Sequence, residues 1–364
     1  MNRIHAIVFG LCIGVLVLLV VWLRSPNTAG TGTTPGTGSR SLGVEVVPEP
    51  PPNVDPEAIG TPLPASLLGD LRLVSVSPAV SRMLVDIGLE PAIVGRSRYC
   101  DFLDAELPVV GDLLALDVER LISLQPTHVF RQPAASTDPR PLARLASERG
   151  WAPPIEVRFD GVDDVRRTLG VLARRIGGPD DRRAAIAARA RVLDARLAAL
   201  VEPAAGNAVA GAGAGAGANA NANPNANASG ATAGVAAAPL EVLALYAVQP
   251  PGVFGRGTFI DQMLLGAGAV NAAAADGWLA WSVEDLVTRN PPVIILVTDQ
   301  PAFAERVRTQ AMGAWSGLGL DAVANGQVHV VAHPDALRPS TGLAEVGVAL
   351  RAAVDAARAG RSGG

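Results

Sequence analysis

No lysine occurs among the 364 residues, so all 30 basic side chains are arginine. That complete bias reads as genome composition before functional choice. Cysteine is almost as scarce. Cys12 lies in an apolar run and Cys100 far downstream, which excludes a disulfide framework and a cysteine-rich zinc site. The only histidines are His5, His128, His329 and His333. A receptor for a bare zinc or manganese ion wants several histidines and carboxylates converging, and this supply disfavours it. Positive charge is lacking overall: the net charge of −4 argues against nucleic acid as a partner. Also missing are a Gly-x-Ser-x-Gly elbow, a pair of metal ligands at helical spacing and a convincing nucleotide loop. No catalytic residue is assigned, and an enzyme is not expected.

What the chain has is hydrophobic mass, 49% of its residues, enough for one large core or two ordinary ones. Residues 1–24 hold an unbroken run from Ala6 to Leu23 of about 18 apolar or small residues, near the minimum for crossing a bilayer. Arg3 ahead of it favours a cytoplasmic start and an exported body. A membrane anchor is expected, with a cleaved signal segment as the alternative; either leaves the remainder outside the cytoplasm. Residues 25–70, rich in Gly, Thr and Pro, read as a linker. Folded sequence is expected from Leu71.

From there short β-like runs alternate with helices. Leu71–Val76 is followed by a helix opened by Ser77-Pro78, and the helix from Asp117 leads into the strand Thr127–Phe130. The alternation over residues 71–160 predicts an α/β lobe with a mainly parallel sheet. Residues 161–202 are a helical connector. Its second helix, Asp180–Val201, would extend roughly 33 Å, enough to cross between lobes. Residues 203–238 are a low-complexity Gly/Ala/Asn insertion, and 239–364 resume the alternation as a second lobe.

The halves echo each other. Asp117-Val118-Glu119 and Ser282-Val283-Glu284 each place a capping residue before Val and Glu. A Leu stands two places after each Glu and a Pro seven after it, and a strand follows. Acids suit a helix's first turn through its dipole, which explains the glutamates but less well the recurrence of the whole unit.

With these residues stated, the stretch from Leu71 onward, apart from the insertion, resembles the helical-backbone periplasmic binding proteins for cobalamin and iron–siderophores. The matching stretches are Val74–Pro78, Val94–Asp101, Pro108–Gly111 and Asp117–Phe130. In the second half they are Gly255–Asp261, Gly266–Asn271, Trp281–Glu284 and Arg338-Pro339. The resemblance implies two Rossmann-like lobes joined by a long backbone helix, with ligand held in the cleft between them. It implies a binding component of an ABC importer, without intrinsic cofactor, whose ligand is a cobalt or iron chelate: cobalamin, haem or an iron–siderophore. Its partners would be the permease with its ATPase, with the body an extracytoplasmic monomer. A membrane-tethered ligand sensor, or orphan co-receptor, on the same fold is the alternative.

The resemblance puts Tyr99, Phe254, Trp278 and Trp281 at positions of cleft aromatics; large flat faces suit a macrocycle. Leu113 and Arg131 stand where cobalamin binders carry Trp, which argues for a smaller or more anionic chelate. Arg131 and Arg338 could clamp carboxylates or phosphates, and His333 could reach a chelated metal. Glu119 and Glu284 match glutamates that meet arginines on the permease in the resembling family.

Overall fold

A computed structural model describes residues 58–112, 114–132, 138–202 and 239–362. The readings of residues 1–24, of most of the linker, of the insertion 203–238 and of Leu113 therefore lie outside the described residues. Among the described residues no helix is long and apolar enough to cross a membrane.

The first sheet is parallel throughout. Strands β1 (Leu73–Ser75), β2 (Ile93–Ser97), β3 (Val109–Gly111), β4 (His128–Arg131) and β5 (Ile155–Glu156) lie in the order β3-β2-β1-β4-β5. Every residue of β1 is buried, as a central strand covered on both faces requires. Leu73 packs into the main core with Met83 and Leu84, whereas Val74 faces Leu121 and Leu142 on the other side. The helices supplying those residues are α2 (Pro78–Asp86), α3 (Val118–Ser123) and α4 (Arg140–Arg149), preceded by the single turn α1 (Ala65–Leu68). Ser77 caps α2 by accepting from the Val80 N–H, and Asp117 caps α3 by accepting from the Arg120 N–H.

Two helices carry the chain to the second sheet: α5 (Val162–Arg175) and α6 (Asp180–Val201), the latter 22 residues long. Ile186, Leu193, Leu197 and Leu200 form its buried stripe. They belong to one apolar cluster that includes Leu73 of the first sheet and Val242 and Val297 of the second.

The second sheet runs β11-β10-β6-β7-β9, with β8 beside the start of β6. Its strands are β6 (Leu240–Val248), β7 (Pro251–Phe254), β8 (Ala269–Asn271), β9 (Trp278–Ala280), β10 (Ile294–Thr298) and β11 (Val328–Ala332). Between and after them come α7 (Phe259–Gly266), α8 (Val283–Arg289), α9 (Ala304–Trp315), α10 (Asp321–Ala324) and α11 (Leu343–Ser362). Pairing is parallel except at β7 and β9, which run antiparallel to their neighbours. Only Gln249 and Pro250 separate β6 from β7, and a parallel neighbour needs a crossover of about a dozen residues or more. Helix α7 lies tightly on α6: a Cβ at Gly266 would strike the Leu200 carbonyl oxygen.

The linker reading needs correction at its end. Leu63 and Leu68 are buried, so the packed body begins ahead of Leu71. Two buried arginines of α6 hold this segment by its main chain. Arg189 donates to the Thr61 carbonyl at 2.5 Å, and Arg182 to the carbonyls of Leu67 and, at 2.8 Å, Leu68. Proline and glycine made the stretch read as spacer, while the donors that fix it lie more than a hundred residues away.

Candidate functional site

In open α/β sheets, ligands bind beyond the carboxyl ends of the strands. Tyr99 and Asp101 follow β2, Arg131 ends β4, Asp299 follows β10, and His333 to Ser340 follow β11. Arg338 brings the two sets together. Its guanidinium carbon stands 4.8 Å from the Phe102 ring, and its Nη2 is 3.7 Å from Asp101 Oδ1. The loops after β2 and β11 thus meet at Arg338.

The predicted aromatics divide by exposure. Phe254 and Trp278 are direct partners across β7 and β9, their ring centroids 4.7 Å apart. Phe254 is fully buried and presents no surface to a ligand; it supports Trp278, which is 42% exposed. Trp281 lies three residues on, so strand alternation turns it away from the Trp278 face. It packs with Leu279 against the core formed by Leu245 and Leu286. Tyr99 is 45% exposed in the loop after β2. Of the four aromatics, Tyr99 and Trp278 offer open faces.

The sequence reading missed Tyr246, which completes the cluster. Its ring lies 5.1 Å from Trp278 and 5.4 Å from Phe254, and its hydroxyl donates to the Leu279 carbonyl at 3.0 Å. Burial pushes that phenol above its ordinary pKa. Apolar strand periodicity gave no sign that this Tyr would support a half-exposed Trp.

The cations differ in what they have left to give. Arg131 donates through Nε to Glu156 Oε1 at 2.7 Å, and its buried Nη2 has no hydrogen-bond partner. Arg338 Nη1 is taken by Asp335 Oδ1 at 2.5 Å, with Asp101 beyond Nη2 and Asp299 close enough to interact. Burial raises the Asp299 carboxyl above its usual range even though Arg338 pulls it down. Arg338 is therefore already matched by acids, and its contacts make it a bridge between lobes. His333 Nδ1 accepts the Asp335 N–H at 3.1 Å, which places the neutral ring's proton on Nε2.

Glu119 and Glu284 are exposed in the first turns of α3 and α8 and make no ion pair among the described residues. The cap of α8 is closed by Ser282 and Asp285, which accepts the Ser282 N–H at 2.9 Å. Glu284 is thus not needed for the capping box. No group of three His, Cys, Asp or Glu suited to a metal ion occurs among the described residues.

A hollow of about 930 Å³ lies at the opposite, amino ends of the first sheet's strands, lined in part by His128, Arg149, Trp151 and Arg175. None of the predicted site residues lines it. Arg175 there donates to the Pro153 carbonyl, and His128, its pKa lowered by burial, rests against Thr127 Oγ1 and the Arg175 carbonyl.

No family model and no curated protein sequence matches this chain. Solved structures do. A periplasmic vitamin B12 binding protein, BtuF of Vibrio cholerae, is 20% identical with a TM-score of 0.54, covering 79% of this chain and 97% of that one. The periplasmic heme-binding protein RhuT from Roseiflexus sp. RS-1, in apo form, is 21% identical with a TM-score of 0.53, covering 79% and 99%. IsdE of S. aureus, complexed with heme, is 17% identical at 0.52, again over 79% and 99%. The chain has the two-lobed α/β fold of these periplasmic binding proteins, the fold its motifs imply.

Proposed function

We propose that this chain is the extracytoplasmic substrate-binding component of an ABC importer for a metal chelate of the cobalamin, haem or iron–siderophore class. The observation that carries this reading is the two-lobed fold itself, with Tyr99 in the loop beyond β2 and Trp278 on β9 as its half-exposed aromatic faces. A flat, rigid, half-exposed ring suits the face of a macrocycle. The B12- and heme-binding proteins of the same fold support the ligand class. Phe254 and Trp281 act behind the binding surface, and Arg338 across it. The apolar run 6–23 would tether the body to the membrane, and Glu119 and Glu284 would meet the permease.

Absorbance titration of the purified protein with haemin, cobalamin and a ferric siderophore tests the reading. One of the three should bind with a shifted spectrum. Tyr99→Ala and Trp278→Ala should each weaken that binding roughly two- to tenfold, the range a stacking contact supplies. No spectral change with any of the three ligands would overturn the assignment.

A further inference from the structure

The loop between β11 and α11 reaches across to the first lobe at three points. At the inner one, the Thr341 hydroxyl donates to Asp86 Oδ2 at 2.5 Å, and both residues are buried. Asp86 also accepts from Arg82 Nε at 3.2 Å. In the middle lies Asp335, whose side chain is 1% exposed. Its carboxylate sits between two guanidiniums: Arg338 Nη1 at 2.5 Å from its own lobe and Arg82 Nη1 at 3.8 Å from the other. Gly342 makes room for it, since a Cβ there would strike the Asp335 carboxyl. At the outer end Arg338 rests on Phe102 and meets Asp101, whose side chain is 83% exposed. Glu345 faces Arg82 and Asp86 from α11, and Asp299 faces Arg338 from the end of β10.

The ends differ in strength for a physical reason. A hydrogen bond to a carboxylate shielded from water is hard to separate, because each group left behind would be buried without a partner. An ion pair open to solvent is weak and screened by salt. A force parting the lobes would break the outer contact first.

We propose that this loop is a two-ended latch, in which the buried Asp86–Thr341 contact is the pivot and the exposed Arg338–Asp101 contact is the catch, whose release lets the outer edges of the lobes part. An anion or salt competing for the outer edge of Arg338 releases the catch and leaves the pivot intact. The latch requires no particular ligand and stands whether or not the chain serves an importer.

Spin labels at Glu148→Cys in α4 and Arg308→Cys in α9, both exposed positions, report the distance between the lobes in the full chain. Cys12 and Cys100 are replaced by Ser in this background. Asp101→Asn, at a site too exposed to threaten folding, should enlarge the population with a longer distance roughly two- to fivefold, as loss of an exposed pair allows. Arg338→Gln should do so at least as strongly, Arg338→Lys should reverse part of the effect, and about 1 M NaCl should act on the unmodified latch like Asp101→Asn. Thr341→Val should lower the melting temperature without enlarging the long-distance population. The latch is refuted if Asp101→Asn and Arg338→Gln, with native circular dichroism, keep the parent distribution. It is equally refuted if Thr341→Val opens the lobes as far as Arg338→Gln does.

Discussion

Asp86 keeps a carboxylate largely out of water, where burial raises its pKa above the ordinary range despite the Thr341 hydroxyl and Arg82. Burial also works against the charge on Arg82, but Asp86 and Asp335 together overcome it and hold that guanidinium above its usual value. The two partners thus answer burial differently, since Arg82 has two acids beside it and Asp86 one guanidinium. A carboxyl whose folded pKa is raised contributes stability that is fully present below its unfolded pKa, roughly 3.9, and lost as pH rises through the folded value. The parent protein should therefore gain on Asp86→Asn as pH falls from about 7 to about 4, in urea denaturation at each pH. Parallel pH profiles would show that this carboxyl titrates as if unburied. The neighbouring aromatics give a second contrast. Phe254→Ala should lose about 3–5 kcal/mol of stability, as emptying a full core site does. Half-exposed Trp278→Ala should lose much less, and thermal melts distinguish the two. From the sequence both residues looked alike, because burial of Phe254 comes from the rings of Tyr246, Phe259 and Trp278 gathered around it.

At the scale of elements, caps were the most readable feature, since each depends on residues three apart. Ser77, Asp117 and Ser282 all accept from the backbone N–H three residues on. Asp117→Ala and Ser282→Ala should each cost about 1 kcal/mol in denaturant unfolding. Glu119→Ala and Glu284→Ala should each cost about 0.3–1 kcal/mol through the helix dipole, towards the lower end because both are exposed. If the glutamates cost as much as the caps, they are part of the fold and the docking role weakens. The 22 residues of α6 were equally legible, because a long run with no Gly or Pro has little else to form. The strands β7 and β9 were not read. Each spans four residues or fewer, too short for alternation to declare itself, and each exists by pairing with the other.

For the whole molecule, the exposed Glu119 and Glu284, one in each lobe, are the contact proposed for a permease. Glu119→Arg together with Glu284→Arg should leave chelate binding intact and abolish import or transporter-stimulated ATP hydrolysis in reconstituted vesicles. Uptake at the native rate would reduce both residues to surface acids. The sequence by itself determined the alternation of strands and helices, the caps, the long connecting helix and the ordered motifs that imply this fold. Each of these rests on periodicity or on neighbours a few residues apart. Tertiary structure alone decided which of the named residues face outward and which are committed. Arg338 read as a clamp for carboxylates or phosphates, and the structure sets Asp335 and Asp101 against it; the segment from Thr61 to Leu68 read as spacer until Arg182 and Arg189 held it. The Thr341–Asp86 contact joins residues 255 positions apart. Pairings at that distance leave no local pattern, because they are fixed by how two sheets pack around one helix.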